Sequence, residues 1–277
     1  MFTKIRKRLG KIFSWKNIPP ITFDDPTVWY QLTYVNLSNC SGICGITTLP
    51  KELGALPDLE KLVLSNNGFG ASDEFKWHWL QPTAIQNNLR FLDLSKNSLT
   101  ELPACIGKLS ALTELIVCHN SLKYLPQSIG NLRNLKVLEL SDNKLLYLPG
   151  SMINNVLKTL DVSTNADFLT FDIIVVHTQL LTLRSLAAKV ILKDRSTYCD
   201  RDSISPESLE YLEKTNYCFY CKSPCFESYI TKFARLNSLY VADMPILDGD
   251  ERERPILSFE CYFCSYDCFE IWSICNG

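Results

Sequence analysis

The chain has 277 residues, 46% of them in the hydrophobic set and 21% charged, with a formal net charge of -2. That balance is too apolar and too weakly charged for a disordered protein, and the length allows one large domain or two modest ones. Near neutrality gives no whole-chain signal for direct nucleic-acid binding, and no apolar run approaches the roughly 20 residues of a membrane span.

Residues 1–24 form a basic leader in which Lys4, Arg6, Lys7, Arg8, Lys11 and Lys16 precede the first acid, Asp24. Phe2, Ile5, Leu9, Ile12 and Phe13 fall at nearly helical spacing, which predicts a short basic amphipathic helix. A solvated leader, a nuclear-import signal, a membrane-surface anchor and a transit peptide all fit this pattern. The apolar core of a secretory signal is missing.

Self-similarity dominates residues 25–176. Leu89, Leu92, Leu94, Asn97, Leu99, Leu102 and Pro103 recur as Leu112, Leu115, Val117, Asn120, Leu122, Leu125 and Pro126. They recur again as Leu135, Leu138, Leu140, Asn143, Leu145, Leu148 and Pro149. Looser copies begin at Leu32 and Leu59, and a partial one at Leu157, so about six repeats are expected. Both regular steps are 23 residues, within the range of leucine-rich repeats. The expected architecture is an α/β solenoid, a horseshoe of short parallel strands whose leucines point inward and whose asparagines bond neighbouring backbones. An insert over residues 70–88 carries Trp77 and Trp79, which either pack against the convex side or anchor a partner.

Six strands about 4.8 Å apart give a sheet roughly 24 Å across, suited to a helix or loop of another protein. The outward strand positions Asn36, Val63, Phe91, Asp93, Glu114, Ile116, Glu139 and Asp161 are the candidate substrate surface.

Residues 177–214 carry two predicted helices. Leu180, Leu183, Ala187, Val190 and Ile191 share one face of the first, with Thr178 a candidate cap. Ser205-Pro206 starts the second, with Leu209 and Leu212 turned inward. Thr182, Leu183, Ala187 and Ile191 resemble the box by which substrate receptors dock on Elongin C, with alanine where that box carries cysteine. Ile204, Pro206 and Leu209 resemble a degenerate Cullin-2 box.

The last segment, 215–277, is rich in cysteine. Cys218-Phe-Tyr-Cys221-Lys-Ser-Pro-Cys225 and Cys261-Tyr-Phe-Cys264-Ser-Tyr-Asp-Cys268 are near copies, each presenting thiols close enough to share one ion. The expected ligands of a structural Zn2+ are Cys221, Cys225, Cys264 and Cys268, with Cys218 and Cys261 as alternates; disulfides and plain buried thiols are the other readings. Strands near 236–244 and 256–263 and a helix capped by Ser265 complete a small treble-clef-like α+β domain.

The order of repeats, docking helix and cysteine-rich end is similar to the leucine-rich repeat protein 1 family, Cullin-2 ubiquitin-ligase substrate receptors. The similarity is strongest over residues 181–198, 221–230, 236–241 and 255–265. Members carry a pleckstrin-like domain before the repeats, for which this chain leaves no room, so either the chain is truncated or its lineage has lost that domain. The resemblance implies a nuclear, non-catalytic receptor, with the cytoplasm a second location. It further implies docking on Elongin B/C and Cullin-2, so that a conjugating enzyme brought by a RING partner ubiquitylates the bound protein substrate, the replicative helicase at replication termination.

A leucine-rich scaffold of the Ras-suppressor type, with no ligase role, is the alternative. A thioester ligase through Cys199-Asp200-Arg201-Asp202 is a third reading, but no histidine base accompanies that cysteine. No enzyme activity is expected.

Overall fold

A computed structural model describes residues 32–39, 49, 51–71, 77–153, 155–165, 173–179, 182–193, 205–226, 228–237, 242–246 and 256–276. The basic leader, Cys199 and Ile204 lie outside the described residues.

The repeat strands are β1 (Tyr34–Asn36), β2 (Lys61–Val63), β3 (Phe91–Asp93), β4 (Glu114–Ile116), β5 (Val137–Glu139) and β7 (Leu157–Asp161). They pair in parallel in chain order, with Val35, Leu62, Leu92, Leu115, Leu138 and Leu160 in one register row. Every member of that row is at most 2% exposed. Burying each side chain contributes about 1.5–3 kcal/mol, and no single repeat could bury its own leucine without its neighbours.

The asparagines link one repeat to the next. Asn143 Nδ2 donates to Leu140 O and to Val117 O of the previous repeat, both at 3.0 Å, while its Oδ1 accepts from Leu122 N. Asn97, Asn120 and Asn165 repeat the pattern. On the convex side the return path is a series of 3-10 turns, including Ala104–Lys108, Gln127–Asn131 and Gly150–Met152. They stack closely enough that a Cβ on Gly130 would lie 2.4 Å from Ser151 O, which explains the glycine in each Ile-Gly pair.

The tryptophan insert packs inward. Its 3-10 turn (Trp77–Leu80) and helix α1 (Thr83–Asn88) place Trp79, Leu80 and Ile85 fully in the core. The partner-anchor reading fails for Trp79, whose ring no partner can reach.

A second sheet runs β6 (Leu148–Pro149), β13 (Ile256–Phe263), β11 (Tyr229–Asn237) and β8 (Ile173–His177). Its first strand is the Leu-Pro step of a repeat, so this sheet grows directly from the convex side. Between β11 and β13, strand β12 (Ala242–Ile246) crosses to the solenoid sheet and pairs in parallel with β7. The single strand expected near 236–244 is therefore split between two sheets, because β12 covers the edge that the last repeat leaves open. The remaining elements are α2 (Leu183–Lys193), α3 (Pro206–Glu213), the short hairpin β9 (Asn216–Tyr217) and β10 (Pro224–Cys225), and α4 (Tyr266–Asn276).

Candidate metal centre and docking surfaces

The hairpin β9–β10 presents Cys218 and Cys221 at its tip. Lys222 N donates to Cys218 O at 3.0 Å and Cys218 N to Ser223 O at 2.7 Å, so the chain wraps tightly around the two sulfurs. Closing that turn puts Lys222 at φ 61, a left-handed conformation that costs a side-chain-bearing residue about 1–2 kcal/mol. Phe219 N donates to Tyr262 O, pinning the tip to β13. Cys264 directly follows β13, and Cys268 sits in the first turn of α4, its N–H bonded to the capping Ser265 Oγ. Burial raises the Cys268 thiol above its ordinary value, against the hydrogen bonds with Ser265 and Cys264 that favour the thiolate.

The sulfurs of Cys218, Cys221, Cys264 and Cys268 lie within 4.8 Å of one another. Cys221 Sγ is 3.4 Å from Cys264 Sγ, which is 3.7 Å from Cys268 Sγ. Four sulfurs bound tetrahedrally at about 2.3 Å stand about 3.8 Å apart, so the cluster already has nearly the size that a thiolate-bound ion needs. Burial pushes the Cys264 thiol up. Burial acts the same way on Cys221, but hydrogen bonds with Ser223, Cys264 and Cys218 outweigh it and bring that thiol to about 6. The rings of Phe219, Phe263, Phe269 and Trp272 pack edge-on or tilted beside the cluster.

Cys225, expected as a ligand, stands outside this group, and Cys218 takes the place instead. The chain leaves the knuckle at Lys222 and runs back along β9, so Cys225 faces Asn216 in the ladder and is 6% exposed. Its thiol donates to Ser223 O at 3.9 Å, and burial holds it well above the ordinary range. Spacing alone did not separate the two candidates; the strand pairing of 216–217 with 224–225 does. Cys261 is buried inside β13 and pushed up to about 12 by burial.

Helix α2 is capped by Thr182, not by Thr178. Thr182 Oγ1 accepts from Ser185 N, and Ser185 Oγ accepts from Thr182 N, a reciprocal cap. The helix buries its small residues Ser185 and Ala188 and turns Leu183, Leu186, Ala187 and Val190 outward. Leu183 is 86% exposed and Val190 67%. Ile191 is half-buried. In α3, Ser205 caps and Pro206 occupies the first turn, while Leu209 is half-buried.

The concave sheet carries two register rows. One runs Tyr34, Lys61, Phe91, Glu114, Val137, Thr159, with Lys61 Nζ 4.2 Å from the Phe91 ring centre. The other runs Asn36, Val63, Asp93, Ile116, Glu139, Asp161. Val63 departs from the expected open position: its short side chain sits between its register partners Asn36 and Asp93 and is 8% exposed. Burial and the neighbouring Asp161, Asp93 and Glu114 raise the Glu139 carboxyl above its ordinary value.

A parallel-stranded solenoid with an open inner sheet defines a repeat-built binding protein. Residues 80–244 match the leucine-rich repeat region family, and the chain belongs to it. Plant intracellular Ras-group-related LRR protein 8 of rice is 35% identical over 88 residues, covering 32% of this chain and 22% of that protein. A solved leucine-rich repeat protein of Leptospira interrogans is 31% identical, with a TM-score of 0.37, over 50% of this chain and 38% of the other. The chain thus spans well under half the length of both relatives.

Proposed function

We propose that the protein is a non-catalytic substrate receptor of a Cullin-2 RING ubiquitin ligase, acting in the nucleus. The concave rows hold a protein substrate, α2 docks on Elongin B/C, and the start of α3 faces Cullin-2. The replicative helicase at replication termination is the substrate the family resemblance implies. A structural Zn2+ in the four-thiolate cluster belongs to the same reading.

The observation that carries it is α2. A helix that merely closes a solenoid buries its large apolar residues, yet this one buries serine and alanine and exposes Leu183, Leu186 and Val190. Large apolar side chains aligned on an exposed helix face fit a groove on a partner. The small Ala187 between them lets that partner approach closely. The alternative, a signalling scaffold without ligase function, fits the regular 23-residue periods and the similarity to the Ras-group-related rice protein.

Co-purification with Elongin B/C and Cullin-2 separates the readings. Capture by the wild-type chain and its loss in a folded Leu183→Asp variant support the receptor. Folded wild-type protein that captures neither component supports the scaffold.

A further inference from the structure

The β9–β10 hairpin connects two groups of elements. At its base, α2 packs against β10, Phe226 stacks on Tyr211 of α3 at 5.5 Å, and the Arg184 guanidinium of α2 lies 4.3 Å over the same Tyr211 ring. Arg184 also donates to Glu207 O at 3.1 Å, tying α2 to α3. At its tip, the hairpin meets β13 and α4 through the Phe219–Tyr262 backbone bond, the Phe219 ring and the four sulfurs. Two sulfurs come from the hairpin and two from the β13–α4 junction. An ion held by all four therefore bridges the docking helices and the sheet that grows from the solenoid.

We propose that Cys218, Cys221, Cys264 and Cys268 bind one Zn2+ ion that clasps the hairpin to β13 and α4, and that this clasp holds α2 in its presented position. Thiolate-only coordination at this spacing selects zinc over the hard oxygen-seeking cations. Metal binding here adds folding energy to a hairpin whose two strands are only two residues long each. The tie is local. The solenoid is held by its leucines and asparagines, and α3 keeps a separate anchor in the Lys108–Glu213 ion pair. Losing the ion thus loosens the hairpin first, and with it the β10 face against which α2 packs, leaving Arg184 as the tie between α2 and α3. The inference rests on the Zn2+ reading above, and metal content and helix protection test the two separately.

The experiment uses the full chain purified without added metal. Elemental analysis is expected to give one zinc per chain in wild type and in Cys225→Ala, and none in Cys218→Ser. Cobalt substitution of the wild-type chain gives a check without mutation, through the visible absorption of a tetrahedral thiolate site. Amide exchange is then followed with and without a chelator. Zinc removal is expected to speed exchange over 183–193 and 216–225 by about tenfold or more, with 91–165 unchanged. Folded protein that binds no zinc overturns the Zn2+ reading and the clasp together. Zinc retained in Cys218→Ser, or a cobalt spectrum that is not tetrahedral, overturns the ligand set. Zinc that binds and leaves without changing exchange in 183–193 overturns the clasp alone.

Discussion

Gln127, on a convex turn of the solenoid, donates from Nε2 to both the backbone oxygen of Glu260, at 2.9 Å, and its carboxylate Oε2, at 3.2 Å. Its own Oε1 accepts from Ser151 N, so one amide joins two repeats and the C-terminal sheet. Tyr147 and Tyr262 also hydrogen-bond the Glu260 carboxylate. The solenoid and the cysteine-rich segment therefore share a buried polar junction as well as the β6–β13 ladder.

Gln127→Ala should destabilise the chain by about 1–3 kcal/mol, since it strips donors from a largely buried carboxylate. Urea denaturation followed by tryptophan fluorescence measures this. A loss confined to the C-terminal sheet, with the repeats still cooperative, would show that the junction fastens one unit to the other.

Glu260 also gives the fold a pH dependence. Burial raises its pKa above the ordinary 4.5, so between 4.5 and that raised value the folded chain holds more protons at this site than the unfolded chain. Its contribution to stability therefore falls as pH rises through this window. In Glu260→Gln that contribution is absent, and stability plotted against pH should lose this downward slope relative to wild type. Parallel profiles for the two proteins would contradict the assignment.

Asn143→Leu should be among the most damaging single changes in the repeats. It leaves Leu122 N–H without its acceptor and removes the donor serving Val117 O and Leu140 O. At about 1–3 kcal/mol for each buried group left unmet, a total of about 3 kcal/mol or more is expected. Chemical denaturation showing a loss below about 1 kcal/mol would mean that water replaces the ladder.

Glu139 tests the concave surface. Burial and the carboxylates of Asp161, Asp93 and Glu114 already disfavour its charge. Glu139→Gln is therefore expected to leave the melting temperature unchanged or higher, while weakening capture of a substrate that brings cationic side chains and sparing Elongin binding. A drop in melting temperature would show that the carboxylate serves the fold, not a partner.

The repeats were legible because the buried positions recur in one pattern, at a 23-residue step in the regular copies, and the buried register row follows those positions one for one. Helix α2 was legible in place and not in orientation. Apolar spacing identifies a face, but only packing decides that Ser185 and Ala188 turn inward while Leu183 turns out. Pairing between distant segments leaves no local pattern, so the passage of Ala242–Ile246 to the solenoid edge could not be read from residues alone. The same holds for the exchange of Cys225 for Cys218, which depends on where the β9–β10 hairpin turns back.

The central claim is tested most directly by titrating purified Elongin B/C into the full chain by calorimetry, beside Leu183→Asp and Val190→Asp. The account predicts one-to-one binding to wild type and none to either variant, with all three proteins melting alike, because both side chains are exposed and touch no core. Equal binding by the variants, or no heat from a folded wild type, would contradict it.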